Sequence, residues 1–184
     1  MFRVLIIFFI LNLYSPVFSS IKEKIITQMK LTNDLSFNFI QTINSKNENG
    51  KCIIKYPKKI WCEYENSNKK IIVSNGKSLV IKTENKGSYY LYPLSKTPLN
   101  ILLDKSYLIS KIKTLEAGEV DGKYLNFKFF ENNNEINVFF DKKNLNLIGW
   151  QTEDIYQNLV ITFISSVKIN QKINNKIFIL PKNN

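Results

Sequence analysis

The feature that most constrains this chain is the stretch at residues 50–81, GKCIIKYPKKIWCEYENSNKKIIVSNGKSLVI. Short apolar runs alternate in it with turn chemistry. Residues 50–56 stop at Pro57, Lys58 and Lys59, and residues 60–65 stop at Asn66, Ser67 and Asn68. Residues 70–73 stop at Ser74, Asn75 and Gly76, and residues 78–81 follow. Asn-Gly between apolar runs is a strong short-range hairpin signal, because both residues accept φ > 0. Pro57 cannot donate to a central ladder and so belongs in a turn. The stretch predicts a meander with one face for an interior and one for water.

Alternation assigns the faces. Cys52, Ile54 and Tyr56 share one side of the first run, and Ile60, Cys62 and Tyr64 one side of the next. An odd number of loop residues points both sets the same way. Cys52 and Cys62 then lie opposite or diagonal, within reach of a disulfide. Two small buried hydrophobes that stay reduced are the alternative.

Residues 1–19 read as a signal peptide. Arg3 supplies the positive start, residues 4–13 the apolar core, and Val17 and Ser19 the small or tolerated residues before a cleavage site placed after Ser19. A short membrane anchor is the alternative, but the apolar run is too short to span comfortably a bilayer, which needs about 20 residues. Residues 20–184 are then a single exported domain, and export permits a disulfide.

The chain has 184 residues, a net charge of +11, no histidine and two cysteines. Without histidine there is no Ser-His-Asp or Cys-His centre and no His-based metal site, and two cysteines are too few for structural zinc. No catalytic residues, no metal and no cofactor are expected. The positive charge could serve anionic headgroups or an acidic partner. The lysines are scattered singly, and no nucleic-acid partner is expected.

Elsewhere, Ile21, Ile25, Ile26, Met29 and Leu31 have helical spacing. Phe37, Phe39 and Gln41 share one face of a strand at residues 35–42. Strands are also expected at residues 89–94, 123–130, 135–141, 145–152 and 158–167, and Ile177, Phe178, Ile179 and Leu180 close the chain before Pro181. Thr97 and Pro98 read as the N-cap and first residue of a short apolar helix containing Leu99, Ile101, Leu102 and Leu103. The fold class is mainly β, with some α: about eleven antiparallel strands in an incomplete barrel, with helices over an apolar concave face. The inward positions hold many aromatic and branched side chains, which fits a half-open barrel better than a small filled one.

The order Gly50, Lys55-Tyr56-Pro57, Ile60, Glu63-Tyr64, then Ile72 to Leu79 as IVSNGKSL, Tyr92-Pro93-Leu94 and Thr97-Pro98 resembles the periplasmic outer-membrane lipoprotein carrier family, the LolA-like proteins. The likeness runs from the Phe37, Phe39, Gln41 strand to Phe178, Leu180 and Pro181. It implies a non-enzymatic periplasmic chaperone, a monomer that holds the acyl chains of lipoproteins in an apolar cavity. Such a carrier takes them from an inner-membrane ABC-type lipoprotein-releasing complex to an outer-membrane lipoprotein receptor. The alternatives are a carrier of free phospholipid or glycolipid with the same fold, and an exported β domain with a filled core.

The resemblance places the cavity at Phe37, Phe39, Ile54, Ile60, Tyr64, Phe127 and Phe129, and the lid at Ile25, Met29, Leu102, Leu103 and Tyr56. The family often has a basic residue before the turn proline, thought to help hold the lid; this chain has Tyr56 there.

Overall fold

The computed structural model describes residues 20–65, 69–85, 87–131, 134–154 and 156–183. The signal peptide expected at residues 1–19 and the proposed cut after Ser19 lie outside the described residues. The first element is the helix α1 (Ile21–Leu31). Ser20 and Glu23 form a capping box at its start: the Ser20 side chain accepts from the Glu23 N–H at 3.2 Å, and the Glu23 carboxylate accepts from the Ser20 N–H at 2.8 Å. Ile25 and Ile26 are buried, but Ile21 and Leu31 are exposed, so the apolar stripe is narrower than the sequence spacing implied.

Among the described residues, a single antiparallel sheet of eleven strands follows. They are β1 (Asp34–Ile43), β2 (Lys46–Lys55), β3 (Lys59–Tyr64), β4 (Lys70–Asn75), β5 (Ser78–Thr83) and β6 (Ser88–Pro93). After two further helices, α2 (Leu99–Leu102) and α3 (Lys105–Thr114), come β7 (Gly118–Val120), β8 (Tyr124–Glu131), β9 (Asn134–Asp141), β10 (Leu147–Glu153) and β11 (Leu159–Ile169). The spatial order is β6-β5-β4-β3-β2-β1-β11-β10-β9-β8-β7. The sheet does not close, so the incomplete barrel read from the sequence is the fold.

The central meander follows its turn residues. Gly76 takes φ 101°, and the Asn75 side chain accepts from the N–H groups of Lys77 and Ser78 at 2.9 and 3.0 Å. The β2–β3 turn carries a cis Tyr56–Pro57 peptide and Lys58 at φ 65°. Gly50 sits where a Cβ would meet the Glu63 carbonyl at 2.2 Å and the Phe39 ring at 3.0 Å. Its missing side chain lets Phe39 of β1 and Tyr64 of β3 meet across β2 edge to face, 4.8 Å apart.

Three expectations are corrected. The segment at residues 177–180 is not a strand: Asn174 accepts from the Lys176 N–H and starts a 3-10 turn, Asn175–Phe178. That turn packs against β3 and β4, and Phe178 is buried. The eleventh strand is instead β7, whose three residues are too few to carry a legible alternation. Thr97 does not cap α2: its hydroxyl donates to the Leu94 carbonyl at 2.9 Å and closes a 3-10 turn, Leu94–Lys96. Strand β2 also begins earlier than its apolar run, because Asn44 and Ser45 (φ 48° and 62°) make a two-residue hairpin that pairs polar residues from Lys46 onward with β1.

Candidate ligand cavity

Cys52 and Cys62 are directly opposite in the β2–β3 ladder, with Cα atoms 4.1 Å apart, and are joined as a disulfide. The bridge lies on the concave face. There it floors a basin of about 390 Å³ together with Phe39, Ile72, Leu79 and Tyr92. A second cavity of about 60 Å³ lies under the helices, lined by Met29, Ile54, Leu102, Leu103 and Leu147 among others. Ile60, Leu99 and Trp150 line both, so these three side chains form the wall between them.

The expected site residues divide among three places. Phe39 and Tyr64 line the basin, and Ile60 stands in the wall. Ile54, Met29, Leu102, Leu103 and Tyr56 line the small lidded cavity. Phe37, Phe127, Phe129 and Ile25 are buried in the packed core and line neither space. Phe127 meets Phe140 edge-on at 5.9 Å, and Phe37 meets Trp150 at 6.1 Å. The sequence reading did not assign Leu79, Ile72 and Tyr92 to the cavity, although each points inward by the same period-two rule as its neighbours.

One end of the basin is polar. The Tyr64 hydroxyl donates to Gln41 Oε1 at 3.0 Å, and Gln41 Nε2 donates to Thr162 Oγ1 at 3.0 Å. These bonds link side chains of three strands, β3, β1 and β11, over the inner face. Lys70 pairs with Glu48 and places its ammonium 3.8 Å from the centre of the Tyr64 ring. Burial and the Glu48 carboxylate both push the Tyr64 phenol upward, so it stays a neutral donor. Glu153 and Asp154 also line the basin and add carboxylates. The basin thus offers an apolar floor and a polar end, an arrangement that suits an amphipathic ligand.

The lid is a pair of helices clipped at both ends. Lys22, at the start of α1, donates to the Leu115 carbonyl just past α3 at 3.0 Å. Lys105, at the start of α3, donates to the Lys30 and Thr32 carbonyls at the end of α1, at 3.1 and 2.6 Å. Each lysine therefore satisfies orphan carbonyls at the C-terminal end of the other helix, where a positive charge is favoured. Gln28 bonds Asn146 in the β9–β10 connection, and Tyr107 and Lys111 hold α3 to Glu131 of β8.

The Lys105 ammonium also stands 5.6 Å from the Tyr56 ring centre. Burial lowers its pKa and raises that of the Tyr56 phenol from 10.0 to about 12. Tyr56 contributes its backbone, whose N–H donates to the Asn33 carbonyl at 2.9 Å, while the carbonyls that end α1 are taken by Lys105. No local apolar pattern marks Lys105, and sequence reading passed over it.

A family model described as the outer membrane lipoprotein carrier protein LolA matches residues 30–180. No curated protein matches the chain. Among solved structures, an uncharacterized conserved protein from Thermus thermophilus is 7% identical with a TM-score of 0.53, over 88% of this chain and 93% of that one. It shares the fold. A LolA superfamily protein from Nitrosomonas europaea is 10% identical with a TM-score of 0.45, over 88% of this chain and 99% of that one. A domain described as a putative outer membrane lipoprotein-sorting protein, from Vibrio parahaemolyticus, is 7% identical with a TM-score of 0.43, over 84% of this chain and 94% of that one.

Proposed function

The chain belongs to the LolA family of outer membrane lipoprotein carrier proteins, and from that premise we propose that it is a periplasmic carrier of acylated lipoproteins. The carrying observation is the basin of about 390 Å³ on the concave face, floored by Phe39, the Cys52–Cys62 bridge and Leu79 and bordered by the α2 residue Leu99. Acyl chains leave a bilayer only if their apolar surface is covered elsewhere, at about 0.8 kcal/mol per CH₂. An apolar trough with a movable cover supplies that environment without covalent chemistry.

In this reading the lipoprotein arrives from an inner-membrane ABC-type releasing complex and departs to an outer-membrane lipoprotein receptor. Separation of α1 from α3 breaks the Lys22 and Lys105 clips. Displacement of Leu99 opens the wall it shares with Ile60 and Trp150, and the basin joins the small cavity beneath the lid. Among the expected residues, Phe39, Tyr64 and Ile60 contact the acyl chains first. Ile54, Met29, Leu102 and Leu103 do so once the wall parts.

A second reading has one observation in its favour. The basin is near the lower end of the range for small-ligand sites, about 300–1,000 Å³. A free phospholipid or glycolipid asks for less room than a triacylated protein. Gentle purification from the periplasm followed by mass spectrometry of what co-purifies separates the two. Near-stoichiometric acylated lipoprotein is the expected result. Free lipid in its place would transfer the proposal to the second reading, and an empty protein that ignores an apolar dye would end both.

A further inference from the structure

Among the described residues, the open sheet has two free edges, and they differ. The edge strand β7 has three residues, all exposed. The edge strand β6 has six, Ser88–Pro93, with sequence SYYLYP. Natural edges are blunted by brevity, by lysine, by proline or by a bulge. Strand β7 is blunted by brevity. Strand β6 carries no lysine and meets proline only at its last residue, Pro93.

The ladder shows which groups β6 leaves free. The Leu94 N–H donates to the Lys77 carbonyl at 2.9 Å, and Tyr92 faces Leu79, Tyr90 faces Ile81 and Ser88 faces Thr83. In an antiparallel pair the hydrogen-bonded positions alternate. Ser88, Tyr90 and Tyr92 therefore bond to β5, while Tyr89 and Leu91 direct N–H and C=O away from it. Among the described residues no strand lies beyond them.

The same strand forms the rim of the basin. Tyr90 and Tyr92 line it, with their rings stacked at 6.4 Å, while Tyr90 is 51% and Leu91 57% exposed. The ligand enclosed by the basin and the backbone offered by the edge thus meet on one element.

We propose that β6 docks the polypeptide that follows the acylated end of the bound lipoprotein, as an added antiparallel or parallel strand bonded to Tyr89 and Leu91. The proposal rests on the carrier reading and extends it to the protein part of the cargo. A polypeptide leaving acyl chains seated on Phe39 and Leu79 must cross the rim. There, an extended chain satisfies its backbone on the free groups of β6, in the manner of β-strand addition. Recognition through the main chain asks for no particular sequence, which suits a carrier of many cargoes, and it distinguishes a lipoprotein from a free lipid.

The test uses two synthetic ligands, a triacylated cysteinyl peptide with a short extended tail and the same acylated cysteine as its amide without peptide. Binding to the full mature protein is measured for both. The tailed ligand should bind about tenfold more tightly, the gain of a few net hydrogen bonds. Leu91→Pro removes an outward N–H without touching the β5 ladder and should reduce that advantage several-fold while leaving the tail-less ligand unaffected. Independently of any variant, hydrogen exchange at the Tyr89 and Leu91 amides should slow when the tailed ligand binds and stay unchanged with the tail-less one. Equal affinities, or exchange at these amides indifferent to the tail, would overturn the proposal and leave the carrier reading standing. Binding of neither ligand would overturn both.

Discussion

The β8–β9 end of the concave face and the β3–β6 end obey the same alternation and reach opposite outcomes. On β8 and β9, Phe127, Phe129 and Ile136 point inward and are buried in the continuous core that also holds Ile109 and Ile112 of α3. On β3 to β6, Tyr64, Ile72, Leu79 and Tyr92 also point inward, yet they border a basin of about 390 Å³. The difference lies in the second layer. Eleven strands at about 4.8 Å spacing make a sheet about 50 Å wide before curvature. Helices of 11 and 10 residues are each about 15 Å long and about 10 Å across. Such a pair covers part of the sheet and leaves the rest open. Period-two patterning therefore selects a face, and helix length decides how much of that face becomes core.

The strongest way to break this comparison is to damage the filled end. Phe127→Ala should cost about 3–5 kcal/mol in chemical denaturation, because the ring is fully enclosed and its cavity cannot fill. The surviving folded protein should still take up an apolar dye in the basin. If the variant loses dye binding at low denaturant as well, the two ends are not separate.

Next in size is the bridge between Cys52 and Cys62, which closes a loop of sequence separation 10. Its removal in a Cys52→Ala, Cys62→Ala protein should lower stability by roughly 2–3 kcal/mol by the loop-entropy estimate. Non-reducing peptide mapping of the wild type should recover the two cysteines joined.

Lys105→Met tests the cover. Loss of its charge-assisted bonds to the Lys30 and Thr32 carbonyls should cost about 1–3 kcal/mol. Ligand release should quicken more than ligand uptake slows, as read by stopped-flow dye displacement. Unchanged release would mean that the clip does not hold the lid.

Leu79→Trp should do the reverse of Phe127→Ala. Leu79 is buried but borders the basin, so the larger ring has room on that side, and its cost should fall at the low end of overpacking, about 1 kcal/mol, while dye uptake falls about tenfold.

The smallest effect is confined to alkaline pH. Burial raises the Tyr56 phenol from 10.0 in the unfolded chain to about 12 in the folded one. The neutral form is thus favoured by folding. Its contribution is complete below about pH 10 and is lost as pH climbs toward about 12. Tyr56→Phe should remove that part of the alkaline slope in a stability-against-pH series, and an unaltered slope would place its origin elsewhere.

Much of this architecture could be read from the chain before any coordinates. The Asn75–Gly76 turn, the Cys52–Cys62 register, the inward set on β1 and the bounds of α1 follow from turn chemistry and periodicity, which are local. Ser20 and Glu23 also carry a capping-box spacing that marks the start of α1 in the sequence. Strand β7 and the turn at Asn175–Phe178 were out of reach, since three or four residues hold too little pattern to separate strand from turn. The site was half legible. Alternation puts Phe37 with Phe39, and Phe127 with Phe129, on one face of their strands, but it carries no information about which of them lie beneath a helix. Lys105 was invisible because its partners, the Lys30 and Thr32 carbonyls, lie more than seventy positions away in the chain.

The central claim is that the open end of the concave face, and not the filled end, receives acyl chains. A lipoprotein carrying a photoreactive diazirine on one acyl chain tests it directly. After loading, irradiation and peptide mapping, crosslinks are expected at Leu79, Ile72, Tyr92 and Phe39, with none at Phe127, Phe129 or Ile136. Crosslinks concentrated on β8 and β9, or none anywhere on the concave face, would contradict the account.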